Sequence, residues 1–153
     1  MKISRVTKIA GSFLYTGYIP IASGTFGSFL ALLIYLIPGF ENIYFHLGMI
    51  VLFSIYGIYV GNIFEAKYGK DPAECTIDEA VGTWISLLFL PKNLILISIT
   101  FFLWRLFDII KPFPANRAEE LSGGSGIMLD DIIAAIYVCL IMNIANIYFL
   151  KLN

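Results

Sequence analysis

Histidine, cysteine and charged residues are all scarce in this sequence. Its 153 residues include one histidine and two cysteines, and only 14% of them are charged. Cys75, Cys139 and His46 lie far apart in the chain, so they match no spacing typical of a zinc site. The formal net charge of −1 provides no basic surface for nucleic acid. The sequence therefore excludes a cysteine–histidine metal site, predicts two free thiols, and gives no sign of nucleic-acid binding.

Apolar residues, in contrast, are abundant. They make up 59% of the chain, and the mean hydropathy is +0.84, whereas a soluble domain averages about 45–50% apolar residues. The length fits one domain. We therefore expect an all-α fold, a small polytopic membrane helix bundle that forms a single domain over residues 1–153.

Four apolar runs are candidates for membrane-spanning segments, at residues 22–38, 43–64, 80–107 and 132–150. The third run is interrupted at 91–93 by a proline, so we expect two short helices that form either a crossing pair or a re-entrant pair. Before these runs, residues 2–15 alternate Lys2, Arg5 and Lys8 with apolar side chains. That pattern predicts an amphipathic helix lying on the membrane surface.

Most of the chemistry-bearing residues fall in one stretch, 105–131. Asp108 lies three residues from both Arg105 and Lys111, so a helix would place all three on one face. Pro112 should end that helix. A flexible glycine turn should follow at 123–126, and the last apolar run should start at Asp130-Asp131. Acids, bases and glycines held between apolar segments suggest a site for a metal ion and a phosphate.

Two shorter motifs each allow a functional and a structural interpretation. Small and hydroxyl residues at 23–28 precede an apolar helix, where free backbone N–H groups suit an anion; alternatively, Thr25 is simply an N-cap. Thr76 and Glu79 have the spacing of a capping box. The alternative is that Asp78 and Glu79 present carboxylates at the membrane surface.

The distribution of basic residues predicts the orientation. The turn at 38–42 contains no Lys or Arg, whereas the polar stretches 65–79 and 105–131 contain several. The positive-inside rule then places both stretches in the cytoplasm and leaves Lys92 as an exception. On this topology the motifs at 23–28, 76–79 and 105–131 all meet at one cytoplasmic face, so we expect the catalytic loops there.

These motifs, in this order, resemble those of the phosphatidylglycerophosphatase A family. The matching segments are Ser23-Gly24-Thr25-Phe26-Gly27-Ser28, Asp71-Pro72, Thr76-Ile77-Asp78-Glu79-Ala80-Val81-Gly82, Arg105-Leu106-Phe107-Asp108-Ile109-Ile110-Lys111-Pro112-Phe113-Pro114 and Gly123-Gly124-Ser125-Gly126-Ile127-Met128-Leu129-Asp130-Asp131. The resemblance covers roughly residues 10–145.

The chain departs from the family pattern at a few positions. Ser23 stands where the family often has proline, and Ala134-Ala135 where it commonly has Ala-Gly. Pro114-Ala115-Asn116-Arg117 replaces a Pro-Ile-Arg segment. None of these departures affects a carboxylate.

The resemblance implies an all-α enzyme of the bacterial cytoplasmic (inner) membrane. Such an enzyme hydrolyses phosphatidylglycerophosphate to phosphatidylglycerol and phosphate in phospholipid biosynthesis, with Mg²⁺ as cofactor. The expected partners are the phospholipid substrate and the membrane, with the active site facing the cytoplasm.

The residues themselves fit phosphate-ester hydrolysis. Mg²⁺ prefers oxygen ligands, and arginine can bind phosphate oxygens in pairs. The catalytic candidates are Asp78, Glu79, Asp108, Asp130 and Asp131; of these, Glu79, Asp108, Asp130 and Asp131 are the metal candidates, for one ion or two. The phosphate-binding candidates are Gly24, Thr25, Gly27, Ser28, Arg105, Lys111 and Arg117. The sequence leaves open whether water or a carboxylate attacks, and the rich acid cluster favours water.

A second hypothesis is a small membrane cation transporter or channel subunit that uses the clustered acids. Intramembrane acids are functional candidates in such proteins. A transporter would place the acids within its spans and often shows two similar halves. Here the acids lie at the ends of the predicted spans, which favours the enzyme.

The predicted orientation can be tested by cysteine labelling in a Cys75→Ser, Cys139→Ser background. A cysteine at Asn42 should react with an impermeant thiol reagent added outside the cell, because the turn at 38–42 is expected outside. A cysteine at Ser122 should react only after the membrane is opened. The reverse pattern would invert the topology.

Overall fold

The protein is entirely helical in the part of the chain that its computed structural model describes, residues 3–151 without the side chain of Phe149. There are seven α-helices and no strand in that part: α1 (Arg5–Gly11), α2 (Ser23–Tyr35), α3 (Ile43–Tyr68), α4 (Ile77–Ser86), α5 (Leu94–Ile110), α6 (Ala115–Ala118) and α7 (Gly124–Ala145). A 3-10 helix occupies Thr16–Tyr18, and a π-helical turn, Asn146–Leu150, continues α7. The predicted all-α fold class is confirmed.

Two of the helices are long and apolar enough to cross a membrane. They are α3 and the helix that runs from Gly124 to Tyr148. The other two predicted spans are shorter: α2 has 13 residues and is about 20 Å long, against a bilayer core of about 30 Å. The run 80–107 is divided between α4 and α5, as its proline predicts.

Asparagine side chains cap the N-termini of α3 and α5. These two helices follow the loops at 38–42 and 91–93. Asn42 Oδ1 accepts hydrogen bonds from the amides of Tyr44 and Phe45. Asn93 Oδ1 likewise accepts from the first turn of α5. Lys92 Nζ is 2.6 Å from Glu41 Oε2 and donates to the carbonyl of Ile37. Lys92, which the predicted topology places on the outer side, therefore joins the two loops there and binds a carbonyl just past the end of α2.

Two predicted boundaries are wrong. The amphipathic helix begins at Arg5 and ends at Gly11, shorter than the expected 2–15, and Lys2 lies outside the described residues. The last helix begins at Gly124, eight residues before the expected start at 132. The reason is that the amides of Gly123 and Gly124 donate to Glu65 Oε1 and Asn62 Oδ1 on α3, at 2.8 and 2.9 Å. These bonds satisfy backbone N–H groups at the N-terminus of α7, which have no partner within the helix. The glycine segment therefore begins a helix and is not a flexible turn.

The centre of the molecule is α4. Every residue of this helix except Glu79 is buried. Trp84 packs in a group of aromatic rings that includes Phe13, Phe40 and Phe53, and its Nε1 donates to the carbonyl of Ala31 in α2 at 3.0 Å. Because α4 is enclosed by its neighbours, the two acids at its start occupy fixed positions.

The closest approach of α4 to α5 depends on Gly82. A Cβ at this residue would overlap the indole ring of the fully buried Trp104. We expect Gly82→Ala to lower the free energy of unfolding by about 1–3 kcal/mol, the usual cost of overpacking a dense core.

Gly48→Ala is the matched control, because a Cβ there would have no neighbour within 4 Å. Melting temperatures in detergent should fall for Gly82→Ala and hold for Gly48→Ala. Equal melting temperatures for the two variants would contradict the packing that we describe.

Candidate active site

The structure brings together the five acids that the sequence predicts to be catalytic. Asp78 and Glu79 come from the start of α4, Asp108 from the end of α5, and Asp130 and Asp131 from about two turns inside α7. The carboxyl of Asp78 interacts with that of Glu79, and the carboxyl of Asp131 with that of Asp108. Glu79 also interacts electrostatically with Asp131 and Asp108. The five residues therefore form one acidic cluster.

Arg105 is the cation on the α2 side of this cluster. Its Nη1 lies 2.9 Å from Asp108 Oδ2 and donates to Ser28 Oγ at 3.1 Å. Trp104 Nε1 donates to the same hydroxyl at 3.3 Å. The predicted Arg105–Asp108 pair on one helix face is thus confirmed, and Ser28, which we expected to bind phosphate, fixes the guanidinium.

Gly24 brings the start of α2 against these groups. A Cβ on Gly24 would collide with Glu79 Oε1 and would lie 3.0 Å from Arg105 Nη2. Only a residue without a side chain allows α2 to approach both the acid and the base. This is the physical reason for a glycine in the 23–28 motif.

A cavity of about 340 Å³ opens beside the acids and Arg105. Its lining combines apolar residues of the segment before α2 with residues from the α3–α4 loop and from α2, α4 and α5: Ile19, Pro20, Ala22, Ser23, Gly24, Asp71, Pro72, Ala73, Cys75, Asp78, Glu79 and Arg105. The size suits a small polar ligand or a headgroup. The cavity therefore presents both apolar and charged side chains to a ligand.

Several polar atoms of the cluster are buried without a hydrogen-bond partner. They are Asp78 Oδ1, Glu79 Oε2, Asp131 Oδ2 and Arg105 Nε. A buried polar atom without a partner is costly, so each indicates a place for a ligand. Unpaired carboxylate oxygens call for a cation, and the free guanidinium N–H calls for an anion.

Burial raises the pKa of the acids on α4. Loss of water is the main cause that raises the pKa of Glu79 from its ordinary 4.5 to about 8; Asp131 and Asp108 act in the same direction, and Asp78 and Arg105 oppose it. Burial and the neighbouring Glu79 also raise the pKa of Asp78 well above its ordinary value. Both shifts favour the protonated carboxyl unless a cation binds beside it.

No sulfur or imidazole nucleophile serves this site. Cys75 lines the cavity, but burial and the adjacent acids raise the pKa of its thiol, so it remains protonated. His46, the single histidine of the chain, is buried in a different cavity beside Tyr35, Glu41 and Pro91. The reactive groups at the acidic cluster are therefore carboxyls and a guanidinium.

Lys111 has a different position from Arg105. Its Nζ lies 2.6 Å from Asp130 Oδ2, 3.3 Å from Glu119 Oε1 and 3.7 Å from Asp71 Oδ2. It is also the residue at which α5 ends, in the left-handed conformation. Lys111 therefore joins the ends of α3, α5 and α6 to α7 and neutralises Asp130.

The remaining phosphate-binding candidates lie apart from these contacts. Thr25 is exposed, Gly27 packs against Thr76, and the guanidinium of Arg117 stacks over the exposed Phe113 ring at 5.3 Å. Their proposed contact with phosphate stays a prediction.

The structure contradicts both capping interpretations. Helix α2 begins at Ser23, with Ala22 at the N-cap position, so Thr25 lies inside the helix. Thr76 does occupy the N-cap position of α4, but its side chain makes no capping bond. Its hydroxyl instead lies 2.8 Å from that of Thr16. Glu79 is therefore not engaged in a capping box and is free to act in the cluster.

Sequence reasoning missed four residues that organise the site. Asp71 and Glu119 hold Lys111, while Asn62 and Glu65 bind the start of α7. Asp71 belongs to the Asp71-Pro72 motif, but the sequence does not predict its backbone φ of 45°. The partners of Asn62 and Glu65 lie about sixty residues away along the chain, so no local signal identified them.

The donors of the acidic cluster are carboxylate oxygens, the ligand type that Mg²⁺ prefers. Among the described residues, no group of three or more acidic, histidine or cysteine side chains is arranged to hold a metal ion. Mg²⁺ usually keeps several waters and takes only one or two carboxylates together with substrate phosphate. The unpartnered oxygens of Glu79 and Asp131, in a cluster where acids outnumber bases, fit such an ion.

Comparison with known proteins identifies the family of this chain. The family model for phosphatidylglycerophosphatase A matches residues 9–146. A Bacteroides thetaiotaomicron protein named "Putative phosphatidylinositol-3-phosphatase" is 34% identical over 146 residues, which cover 90% of this chain and 92% of that protein.

Two relatives named phosphatidylglycerophosphatase A come from Haemophilus influenzae and Escherichia coli K12. The first is 34% identical, covering 83% of this chain and 80% of the relative; the second is 31% identical, covering 79% and 72%. No solved structure matches the chain. The chain, with its acids and arginine gathered at one cavity, belongs to the phosphatidylglycerophosphatase A family and is a phosphoric monoester hydrolase.

Proposed function

We propose that this protein hydrolyses phosphatidylglycerophosphate to phosphatidylglycerol and phosphate, with Mg²⁺, as a step of phospholipid biosynthesis. The observation that carries the proposal is the cavity where the acids of α4 meet Arg105. Family membership supports the lipid phosphate as substrate. A cation transporter is not favoured, because it gives no role to an arginine with a free buried N–H.

We further propose that the enzyme lies in the cytoplasmic membrane with several spans and its cavity facing the cytoplasm. Support comes from α3 and the Gly124–Tyr148 helix, which are long and apolar enough to cross a bilayer. The basic residues near the acidic cluster favour the cytoplasmic side.

Each group in the cluster has a role in this proposal. Of the four predicted metal ligands, Glu79 and Asp131 keep unpartnered oxygens and would hold Mg²⁺, which when bound supplies positive charge to the phosphoryl oxygens. Asp108 and Asp130, which pair with Arg105 and Lys111, would add negative charge beside the ion. Arg105 binds the same oxygens through its free N–H, and Ser28 keeps the guanidinium in position. A water oxygen forms the new bond to phosphorus while the bond from phosphorus to the glycerol oxygen breaks.

Asp78 is the residue best suited to supply the proton that the leaving glycerol oxygen takes up. It lines the cavity, and burial and the neighbouring Glu79 raise its pKa, which favours the protonated carboxyl. General acid catalysis of this kind needs a protonated group close to the leaving atom. We assign this role to Asp78 and the metal-binding role to its neighbour Glu79.

The proposed activity is tested by phosphate release from phosphatidylglycerophosphate in detergent micelles, with Mg²⁺ or with EDTA. Phosphatidylinositol 3-phosphate belongs in the substrate panel because a relative carries that name. We expect Mg²⁺-dependent release from phosphatidylglycerophosphate. Release from neither lipid would overturn the proposed function.

Amide substitutions should separate catalysis from structure. Asp108→Asn, Glu79→Gln and Asp131→Asn keep the shape of each side chain and remove its charge. Each should reduce the rate at least a hundredfold, since one positioned electrostatic group is worth about 3–4 kcal/mol in the transition state. The measurement is the rate at saturating and at limiting Mg²⁺.

Glu120→Gln is the matched control, because Glu120 is an exposed acid that no contact joins to the cluster. It should retain full activity. Glu79→Gln, Asp131→Asn and Glu120→Gln should keep the melting temperature in detergent, whereas Asp108→Asn removes the partner of Arg105 and should lower it. Full activity in Asp108→Asn, with an unchanged Mg²⁺ requirement, would remove Asp108 from the site.

The raised pKa of Glu79 predicts how stability depends on pH in the absence of metal. Between its ordinary 4.5 and about 8, the folded protein holds a proton on Glu79 that the unfolded chain releases. Stability is therefore complete below that window and is lost as the pH rises through it. Melting temperatures in EDTA should fall from pH 5 to pH 8, and Mg²⁺ should restore them at pH 8, because it binds the ionised carboxyls.

Glu79→Gln should flatten this dependence and weaken the Mg²⁺ response, whereas Glu120→Gln should retain both. A melting temperature that rises with pH in EDTA, equally in wild type and Glu79→Gln, would contradict the prediction.

A further inference from the structure

The cavity beside the acids is bordered by apolar surface on one side. Pro20 and Ala22 line the cavity, and Ile21 between them is 76% exposed. One and two turns further along α2, Phe26 and Phe29 are also exposed. An apolar strip therefore leads from the cavity rim along α2.

Helix α5 provides a second strip on the other side of the same opening. Arg105 lines the cavity, and Phe102 and Ile109 lie three and four residues from it, so they share its side of the helix. Both are more than 70% exposed, and Leu106 beside them is 49% exposed. The charged floor of the cavity is thus continuous with apolar surface on both helices.

Helices α2 and α5 are in contact next to the cavity. The rings of Phe29 and Phe101 pack edge to face with centroids 6.4 Å apart. One residue earlier along α2, Ser28 accepts a hydrogen bond from Arg105, which lines the cavity. The exposed apolar side chains of the two helices therefore belong to one connected face beside the cavity.

The dimensions decide what kind of ligand fits. At about 340 Å³ the cavity is near the lower limit for small-molecule sites. It can take a phosphorylated headgroup but not the acyl chains of the same lipid. Those chains must lie outside the cavity. Burying apolar surface contributes a favourable free energy of about 25 cal/mol per Å², so the chains are best placed on the adjoining apolar strips.

We propose that a diacyl lipid phosphate enters this site sideways from the bilayer, along the α2–α5 face, and keeps its acyl chains on that face during hydrolysis. This inference rests on the proposed function and specifies how the substrate binds. The phosphate lies at Arg105, and the chains lie along Phe26 and Phe29 on one side and Phe102, Leu106 and Ile109 on the other.

The test compares two triple-alanine variants that remove similar exposed apolar side chains from different faces. The first is Phe102→Ala, Leu106→Ala, Ile109→Ala on α5. The control is Leu52→Ala, Ile55→Ala, Tyr59→Ala on α3, whose members are each about 60% exposed or more. Neither variant changes a buried residue or an acid of the cluster.

The measurement is kcat/KM in mixed micelles for long-chain phosphatidylglycerophosphate and for its water-soluble dihexanoyl analogue. In the α5 variant, we expect kcat/KM for the long-chain lipid to fall about tenfold, mainly through KM, so that the ratio of long-chain to dihexanoyl substrate falls too. The α3 variant should match wild type. Melting temperatures confirm that both variants are folded.

The outcomes distinguish this inference from the proposed function. Wild type that hydrolyses neither substrate overturns the proposed function itself. If the wild type is active and the α3 and α5 variants lose kcat/KM equally, the proposed function stands and only the binding of acyl chains along the α2–α5 face is overturned. A loss in the α5 variant that is equally large for the dihexanoyl analogue also overturns it, because the face would then not be contacting acyl chains.

Discussion

The structure depends on holding several carboxyl groups close together away from water. Isolated buried charges are expensive, and they persist only when paired, protonated or bound to a metal. Two of these solutions are present around α4: Arg105 pairs with Asp108 and Lys111 with Asp130, and Glu79 favours its protonated form. The enclosure of α4 by its neighbours supplies the rigidity that keeps like charges from separating.

Arg105 and Lys111, the two basic residues beside the acidic cluster, have different roles. The planar guanidinium of Arg105 is fixed by Ser28 and retains a free buried N–H, which suits a phosphate. The ammonium of Lys111 is surrounded by carboxylates from separate segments and stabilises the junction between them. One cation is thus available to substrate while the other holds an acid of the site in position.

The location of the polar groups fits an enzyme that acts on a lipid. The reactive residues lie at the start of α4, near the end of α5 and about two turns inside α7. Exposed apolar side chains lie close to the cavity that Asp78, Glu79 and Arg105 line, where a lipid with a charged headgroup would find both kinds of surface. The opposite loops carry a structural ion pair, Lys92–Glu41, that joins helix ends. The same chain therefore concentrates its chemistry at one end and its structural polar contacts at the other.

The sequence by itself determined the helical class, the break at Pro91, and the acids and arginine of the site, because apolar periodicity, proline geometry and the i, i+3 spacing of Arg105 and Asp108 are local properties. Only the tertiary structure decided the start of α7, the anchoring role of Ser28 and the partners of Lys111. Each depends on side chains that are distant in sequence: Asn62 and Glu65 on α3 bind the amides of Gly123 and Gly124, and Asp71 approaches Lys111 from another loop. The reason is that a helix boundary or an ion pair is chosen by the lowest free energy among all available partners, and packing sets which partners are available.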